Sequence, residues 1–214
     1  MRVHLRPQSV IRRSFSAVAA AAIVFTMLGS AALAAPPVVR DHIANSGAGA
    51  TNTVCEGNIC TSTSVLVIVN TPDGPSQVCL DISRYAKTET GFVGLGYETG
   101  CVPLTEGAFS IDARDLANAT LSSVDVVLQA FTCDATACQP TSTRTAAVRA
   151  TWTGVGDINT FRSNSKSTFG GCSMYFVGKG SQRQATAILT TDGRSLDANG
   201  YLAVSTQKIK VLCH

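Results

Sequence analysis

Apolar and polar residues alternate most regularly between residues 121 and 152. Every second residue is apolar from Val124 to Ala130, and the alternation returns from Val148 to Trp152 after a short polar break. Two alternating segments joined by a short turn are typical of a β-hairpin. Cys133 and Cys138 flank the break, so we predict a hairpin whose turn is clamped by a disulfide.

The rest of the chain shows shorter patterns of the same kind. Apolar or alternating segments predict further strands at residues 65–69, 77–83, 104–111 and 201–213. A second hairpin is predicted over residues 171–190, with its turn at the glycine-containing segment 178–181. Residues 154–166 are rich in Gly, Asn and Ser and predict a long connection.

These patterns predict an all-β fold with almost no helix. We expect a disulfide-stapled antiparallel β-sandwich of Ig-like or Greek-key type, with about eight to ten strands. The expected organisation is a secretory signal peptide at 1–34, a flexible N-terminal arm at 35–53 and a single β-sandwich domain at 54–214. An alternative is two small β-subdomains divided near residues 115–120.

The first 34 residues have the features of a secretory signal peptide. Arginines precede an alanine-rich apolar run over residues 17–28, and Ala32-Leu33-Ala34 matches a cleavage site. The alanine-rich composition and the length of this leader suggest a bacterial source, and the leader predicts a secreted, extracellular protein. Arg12 and Arg13 form a twin-arginine pair without the preceding Ser or Thr, so the general and the twin-arginine export routes both remain open.

Removing the leader changes the charge of the chain. The whole sequence has 17 Lys+Arg and 14 Asp+Glu. Four of the arginines and none of the acidic residues lie in the leader, which leaves 13 basic and 14 acidic residues. No Lys/Arg run survives that would indicate a nucleic-acid partner, and no apolar segment after the leader is long enough to span a membrane.

The cysteines predict disulfides. All eight lie outside the leader, and an even number in an exported chain indicates four bridges. The spacing favours sequential pairs, although eight cysteines allow many connectivities. Paired C-x-x-C or Cys/His clusters, which structural zinc requires, are absent from the sequence. The predicted pairs are Cys55–Cys60, Cys79–Cys101, Cys133–Cys138 and Cys172–Cys213.

Candidate functional residues are few. Tyr85, Phe92 and Tyr97 form the densest aromatic group in the first half of the chain, among glycines that predict a twisted, bulged strand pair. We expect them to form a ligand-binding group if they are exposed. The sequence predicts no catalytic residue, no cofactor and no metal site, and Asp192, Asp197 and Asn199 match no complete calcium loop.

Two functional hypotheses follow. The first is an exported, non-catalytic module that binds a wall polymer, a glycan or a protein outside the cell, because a stapled β-scaffold leaves its loops free to vary. The alternative is a secreted hydrolase that uses two carboxylates about 5–10 Å apart in one cleft. The absence of catalytic motifs favours the binding module over an enzyme.

Overall fold

Nine antiparallel strands in one hydrogen-bonded sheet form the computed structural model, which describes residues 39–71, 74–134 and 137–213. Strand residues make up 86% of this part of the chain and none of it is helical, which confirms the all-β prediction. The predicted signal peptide lies outside the described residues. The strands are β1 (Val39–Glu56), β2 (Ile59–Thr71), β3 (Gln77–Thr88), β4 (Gly91–Pro103), β5 (Phe109–Ile111), β6 (Asn118–Cys133), β7 (Cys138–Phe169), β8 (Cys172–Thr191) and β9 (Arg194–Cys213).

The sheet closes on itself. The strand order is β4-β3-β2-β1-β9-β8-β7-β6-β5, and β4 also pairs with β6, which joins eight strands into a ring. Strands from both sides of residues 115–120 belong to this ring. The Ig-like or Greek-key sandwich stays a prediction, because all nine strands belong to one sheet.

Alternate residues of the ring point inward and form the core. On the hairpin of β6 and β7, Val126, Leu128, Val148 and Trp152 are buried, whereas Asp125 between the first two is exposed. The partners of Trp152 on the two neighbouring strands are alanines, at positions 119 and 187. These small side chains leave room for the indole inside the ring.

The predicted hairpin at residues 121–152 is confirmed, within longer strands. Cys133 pairs with Cys138 across the turn and the two are disulfide-bonded. The Asp134 amide donates to the carbonyl of Ala137 over 3.0 Å, and the Ala137 amide donates to Asp134 Oδ1 over 2.9 Å. These hydrogen bonds and the bridge fix the turn.

The prediction of a flexible arm at residues 35–53 is wrong for the residues that the structure describes. Residues 39–53 belong to β1, which pairs with β2 on one side and β9 on the other. The inward positions are Ala48 and Ala50, which are buried, and glycines stand at 47 and 49 on the other face. Small residues on both faces hide the apolar alternation that identifies a strand in a sequence.

Two further predictions along the second half are wrong. Residues 154–166 are strand residues of β7 and not a connection. Residues 178–181 are no turn, because β8 runs through them and its hairpin with β7 turns at Gly170 and Gly171 instead. The turn between β8 and β9 lies at Asp192 and Gly193, whose φ values are 50° and 76°.

The eight cysteines form four disulfides, and each joins cysteines that follow one another in the chain. Two of them close short loops at the β1–β2 and β6–β7 turns, and the other two connect neighbouring strands. The bridges are Cys55–Cys60, Cys79–Cys101, Cys133–Cys138 and Cys172–Cys213.

Three strands continue beyond the ring as a layer that we call the sheet extension, made of residues 158–169, 172–183 and 202–213. β6 stops pairing with β7 at Thr153, so β7 is an edge strand in the extension. β8 lies between β7 and β9, and β9 also pairs with the first residues of β1.

Tyr201 packs on the outer face of β1 and gives a prediction for alkaline pH. A Cβ at Gly49 would lie 2.6 Å from Tyr201 Cε1, so the ring covers bare backbone there. Burial raises the pKa of Tyr201 above its ordinary value of 10.0. Folding therefore favours the protonated phenol, and its contribution is complete below pH 10 and is lost as the pH rises through the raised pKa.

We expect Tyr201→Phe to remove this alkaline loss. Melting temperatures of both proteins between pH 7 and pH 11 test it, and the wild-type curve should fall more steeply above pH 10. Parallel curves across that range would contradict the prediction.

Candidate functional site

The three aromatic residues predicted to bind a ligand lie on the outer face of β3 and β4. Tyr85 and Phe92 are in edge-to-face contact, with ring centroids 5.3 Å apart. Tyr97 stacks on Phe131 of β6, with centroids 4.6 Å apart and planes inclined by 15°. The structure thus places the predicted residues in two adjacent pairs, and we call the four side chains the aromatic strip.

The strand pairing explains this alignment. Tyr97 pairs with Ser83, and Tyr85 pairs with Gly94, so side chains of both strands emerge on one face. A bulge between Arg84 and Tyr85 confirms the predicted irregularity of this strand pair.

Gly96 allows β4 to approach β6 closely. Its φ is 157°, and a Cβ there would lie 2.5 Å from the carbonyl oxygen of Phe131. Any side chain at this position would therefore push β4 away from β6. The glycine permits both the closure of the ring and the stacking of Tyr97 on Phe131.

The aromatic strip is accessible from solvent. Phe92 is 69% exposed and Tyr97 is 37% exposed. Tyr85 and Phe131 are half-buried, and each contacts one of these exposed rings. Sequence reasoning missed Phe131 as a site residue, although its outward position on the alternating β6 segment was the available signal.

A cleft of about 680 Å³ opens at one end of the ring, where β1 turns into β2. This volume lies within the range of small-molecule sites, roughly 300–1,000 Å³. Arg84, Arg194 and Glu56 line it. Thr191 also lines it, is 93% buried, and its hydroxyl has no hydrogen-bond partner within the part of the chain that the structure describes.

The Lys87 amide donates to the carbonyl of Asn58 over 2.7 Å, which places the β1–β2 turn beside the end of β3 that carries the aromatic strip.

An ion-paired arginine borders the cleft. Arg144 of β7 binds Asp192 in the β8–β9 turn over 2.7 Å and Glu98 of β4 over 2.6 Å. The hydrogen bond with Glu98 is the main cause of the raised pKa of Arg144, against the opposing effect of its desolvation, and Asp192 adds to the rise. Asp192 is therefore already paired with a cation at the edge of the cleft.

The oxygen-bearing residues of the β8–β9 region do not converge. Asp192 bonds Arg144, whereas Asp197 and Asn199 line a separate hollow of about 370 Å³ on the outer face of β9. Over residues 39–71, 74–134 and 137–213, no group of three or more His, Cys, Asp or Glu is arranged to hold a metal ion.

Comparisons with known proteins add no family to this description. No protein-family model, no curated protein and no solved structure matches the chain. Among the described residues, no helix is long and apolar enough to cross a membrane. The four disulfides indicate that the protein folds in an oxidising environment.

Proposed function

We propose that this protein is an exported, non-catalytic module that binds a carbohydrate chain outside the cell through the aromatic strip. The observation that carries the proposal is the exposure of Phe92 and Tyr97 on the same outer face. Sugar rings have apolar C–H faces that pack on aromatic rings, and the polar groups at their edges need hydrogen-bond partners nearby. Polar side chains on the same outer face supply such partners, among them Ser83, which pairs with Tyr97, and Asp81 on the same strand.

Export is part of the same proposal. The predicted signal peptide would deliver the chain to the outside of a bacterial cell, where disulfides persist. A closed ring of hydrogen-bonded strands that carries three disulfides is a rigid support for a binding surface. We expect such a support to hold Phe92 and Tyr97 in place before the ligand arrives, which lowers the entropy cost of binding.

Alanine substitutions in the aromatic strip test the proposal. Loss of one stacking ring should weaken glycan binding by about 1–2 kcal/mol, roughly 5- to 30-fold in Kd. The variants are Phe92→Ala and Tyr97→Ala, measured by affinity electrophoresis and calorimetry against soluble neutral β-glucan, xylan and chitin oligosaccharides. Phe169→Ala is the matched control, because Phe169 is 80% exposed but lies in the sheet extension.

A neutral glycan that binds the wild type and Phe169→Ala alike, and binds Phe92→Ala more weakly, supports the proposal. Equal loss in all three variants, or no binding to any of these glycans, would argue against the aromatic strip as the site. Folding of each variant is checked by near-ultraviolet circular dichroism.

The alternative, a carboxylate-dependent hydrolase, has weaker support. Glu56 and Asp192 both line the cleft, but Asp192 is paired with Arg144. Slow release of reducing ends from any of these polymers, abolished in Glu56→Gln, would favour the hydrolase over the binding module.

A further inference from the structure

All the cations of the sheet extension lie on one of its two faces. The segments 158–169, 172–183 and 202–213 contain no Asp or Glu, so no acidic residue of these segments offsets their positive charge. Their cations are Arg162, Lys166, Lys179, Arg183, Lys208 and Lys210.

The strand register establishes which face they share. Arg162 pairs directly with Lys179, and Arg183 pairs with Leu202, which points into the core. Within the extension the pairing is continuous from β7 through β8 to β9, so alternation assigns all six cations to the side that continues the inner wall of the ring. Six residues would fall on one side by chance roughly one time in thirty, since alternate residues face opposite sides of a sheet.

Protection of an exposed edge explains only part of this pattern. Lysines and arginines on edge strands discourage pairing with other chains, and Arg162 and Lys166 lie on the edge strand β7. Lys179, Lys208 and Lys210 lie on strands that have a neighbour on both sides. Their position on the same face therefore needs another explanation.

Five of the six cations are free to meet a ligand. Arg183 is held at the base of the extension, where its Nε donates to the Gly156 carbonyl over 2.9 Å and its Nη1 to the Asp115 carbonyl over 3.1 Å. The other five are exposed. We call these five, Arg162, Lys166, Lys179, Lys208 and Lys210, the basic face.

The basic face is broad and regular. Lys166 and Lys210 flank Tyr175 on the strands to either side, about 10 Å apart across two strand spacings. Lys208 and Lys210 are about 7 Å apart along β9. Cations spread at such intervals match a chain that carries repeated negative charges better than a single small anion, which needs converging donors.

Tyr175 adds an aromatic surface among the cations. The Lys166 ammonium lies 5.3 Å from the centroid of the half-buried Tyr175 ring, a cation–π contact that orders both side chains. The phenol of Tyr175 can pack against a sugar while Lys166 and Lys210 on either side bind the acidic groups of the polysaccharide.

The opposite face argues against a lipid surface as the ligand. Binding at a bilayer surface requires apolar side chains and cations on the same side. The exposed phenylalanines of the extension, Phe161 and Phe169, lie on the face away from the cations, since they alternate with Arg162 and Lys166 along β7. The exposed aliphatic side chains on the cation side are only Val177 and Ile158, which pair with Lys208 and Arg183.

We infer that the basic face binds an extracellular anionic polysaccharide, with acidic groups on the cations and a sugar ring against Tyr175. The inference takes its class of ligand from the proposed carbohydrate-binding function but uses different residues. The result for Phe92→Ala with neutral glycans therefore does not bear on the basic face. The aromatic strip and the basic face can each fail their own test separately.

Binding of polygalacturonate to the mature protein tests the inference. We expect the triple variant Lys179→Gln, Lys208→Gln, Lys210→Gln to bind polygalacturonate at least about tenfold more weakly than the wild type. The Kd of the variant should also depend less steeply on salt concentration. The matched control removes three exposed cations elsewhere: Lys87→Gln, Arg114→Gln, Arg149→Gln. Both triple variants change the net charge equally, so the control should stay within about twofold of the wild type.

Fully methyl-esterified polygalacturonate, a short double-stranded DNA and vesicles of phosphatidylglycerol with phosphatidylcholine are the competing ligands, all measured at the same ionic strength. The expected result is that the acidic glycan binds most tightly and its neutral ester does not bind at this face. Equal loss in both triple variants, no binding of polygalacturonate, or tighter binding of DNA or vesicles would overturn the inference.

Discussion

Replacing Trp152 with alanine is expected to lower the free energy of unfolding by about 3–5 kcal/mol, the usual cost of removing a large buried aromatic side chain. Trp152 is only 1% exposed. Its indole Nε1 donates to the Gly49 carbonyl over 3.0 Å, and its ring meets Phe109 edge-to-face at 6.2 Å. The side chain thus connects β7 to β1 and β5 through the inside of the ring.

Trp152→Phe separates the two parts of this contribution. Phenylalanine keeps an aromatic ring in the core but cannot donate to the Gly49 carbonyl, so this hydrogen bond is lost at a cost of about 0.5–1.5 kcal/mol. We expect a smaller loss than for alanine, and this variant also provides a result if Trp152→Ala does not fold.

Denaturant unfolding measures both losses, with Phe169→Ala as the control. Phe169 is 80% exposed, so its removal should change the stability by no more than about 0.5 kcal/mol. Because Trp152 is the only tryptophan, the wild type should also show blue-shifted emission that iodide does not quench. A red-shifted, quenchable signal would contradict the inward position of this side chain.

The β6–β7 hairpin could be predicted because each strand has one buried and one exposed face. Val126 and Leu128 are fully buried while Asp125 between them is exposed, and period-two alternation records that difference directly. The two cysteines marked the position of the turn.

Strands without such a difference could not be recognised. β1 has Ala48 and Ala50 inside and glycines outside, so its pattern of hydrophobicity is flat. The end of β7, including Ile158 to Phe169, is exposed on both faces as an edge strand and resembles a loop in composition. Both segments are strands because of their neighbours, and a single sequence does not show which segments those are.

The aromatic strip and the basic face also differ in how far the sequence reveals them. Tyr85, Phe92 and Tyr97 are close in the sequence, so their grouping was visible, although their exposure was not. The basic face combines Arg162, Lys179 and Lys208, which belong to three separate strands with no local run of charge. Only the register of β7, β8 and β9 brings them together, so a search of the sequence for Lys/Arg runs does not reveal this group.

Removal of the Cys172–Cys213 disulfide should destabilise the protein more than removal of Cys133–Cys138. The bridged cysteines are 41 residues apart in the first case and 5 in the second. On the loop-entropy account the losses are about 4 and about 2 kcal/mol, because the longer bridge restricts the unfolded chain more. The double variants Cys172→Ala, Cys213→Ala and Cys133→Ala, Cys138→Ala form a matched pair.

The position of the Cys172–Cys213 bridge determines whether that full difference is observed. It closes the open end of the β8–β9 hairpin, whose pairing runs without a bulge from Thr191 and Arg194 in the ring to the bridged cysteines. We therefore expect the sheet extension and the ring to unfold together, so the unfolding midpoint of the variant should fall. Hydrogen exchange that increases only near the bridge, at an unchanged midpoint, would contradict this and show that the extension opens alone. Because Lys208 and Lys210 lie in the segment that the bridge holds, such local opening would also weaken binding of polygalacturonate without touching a cation.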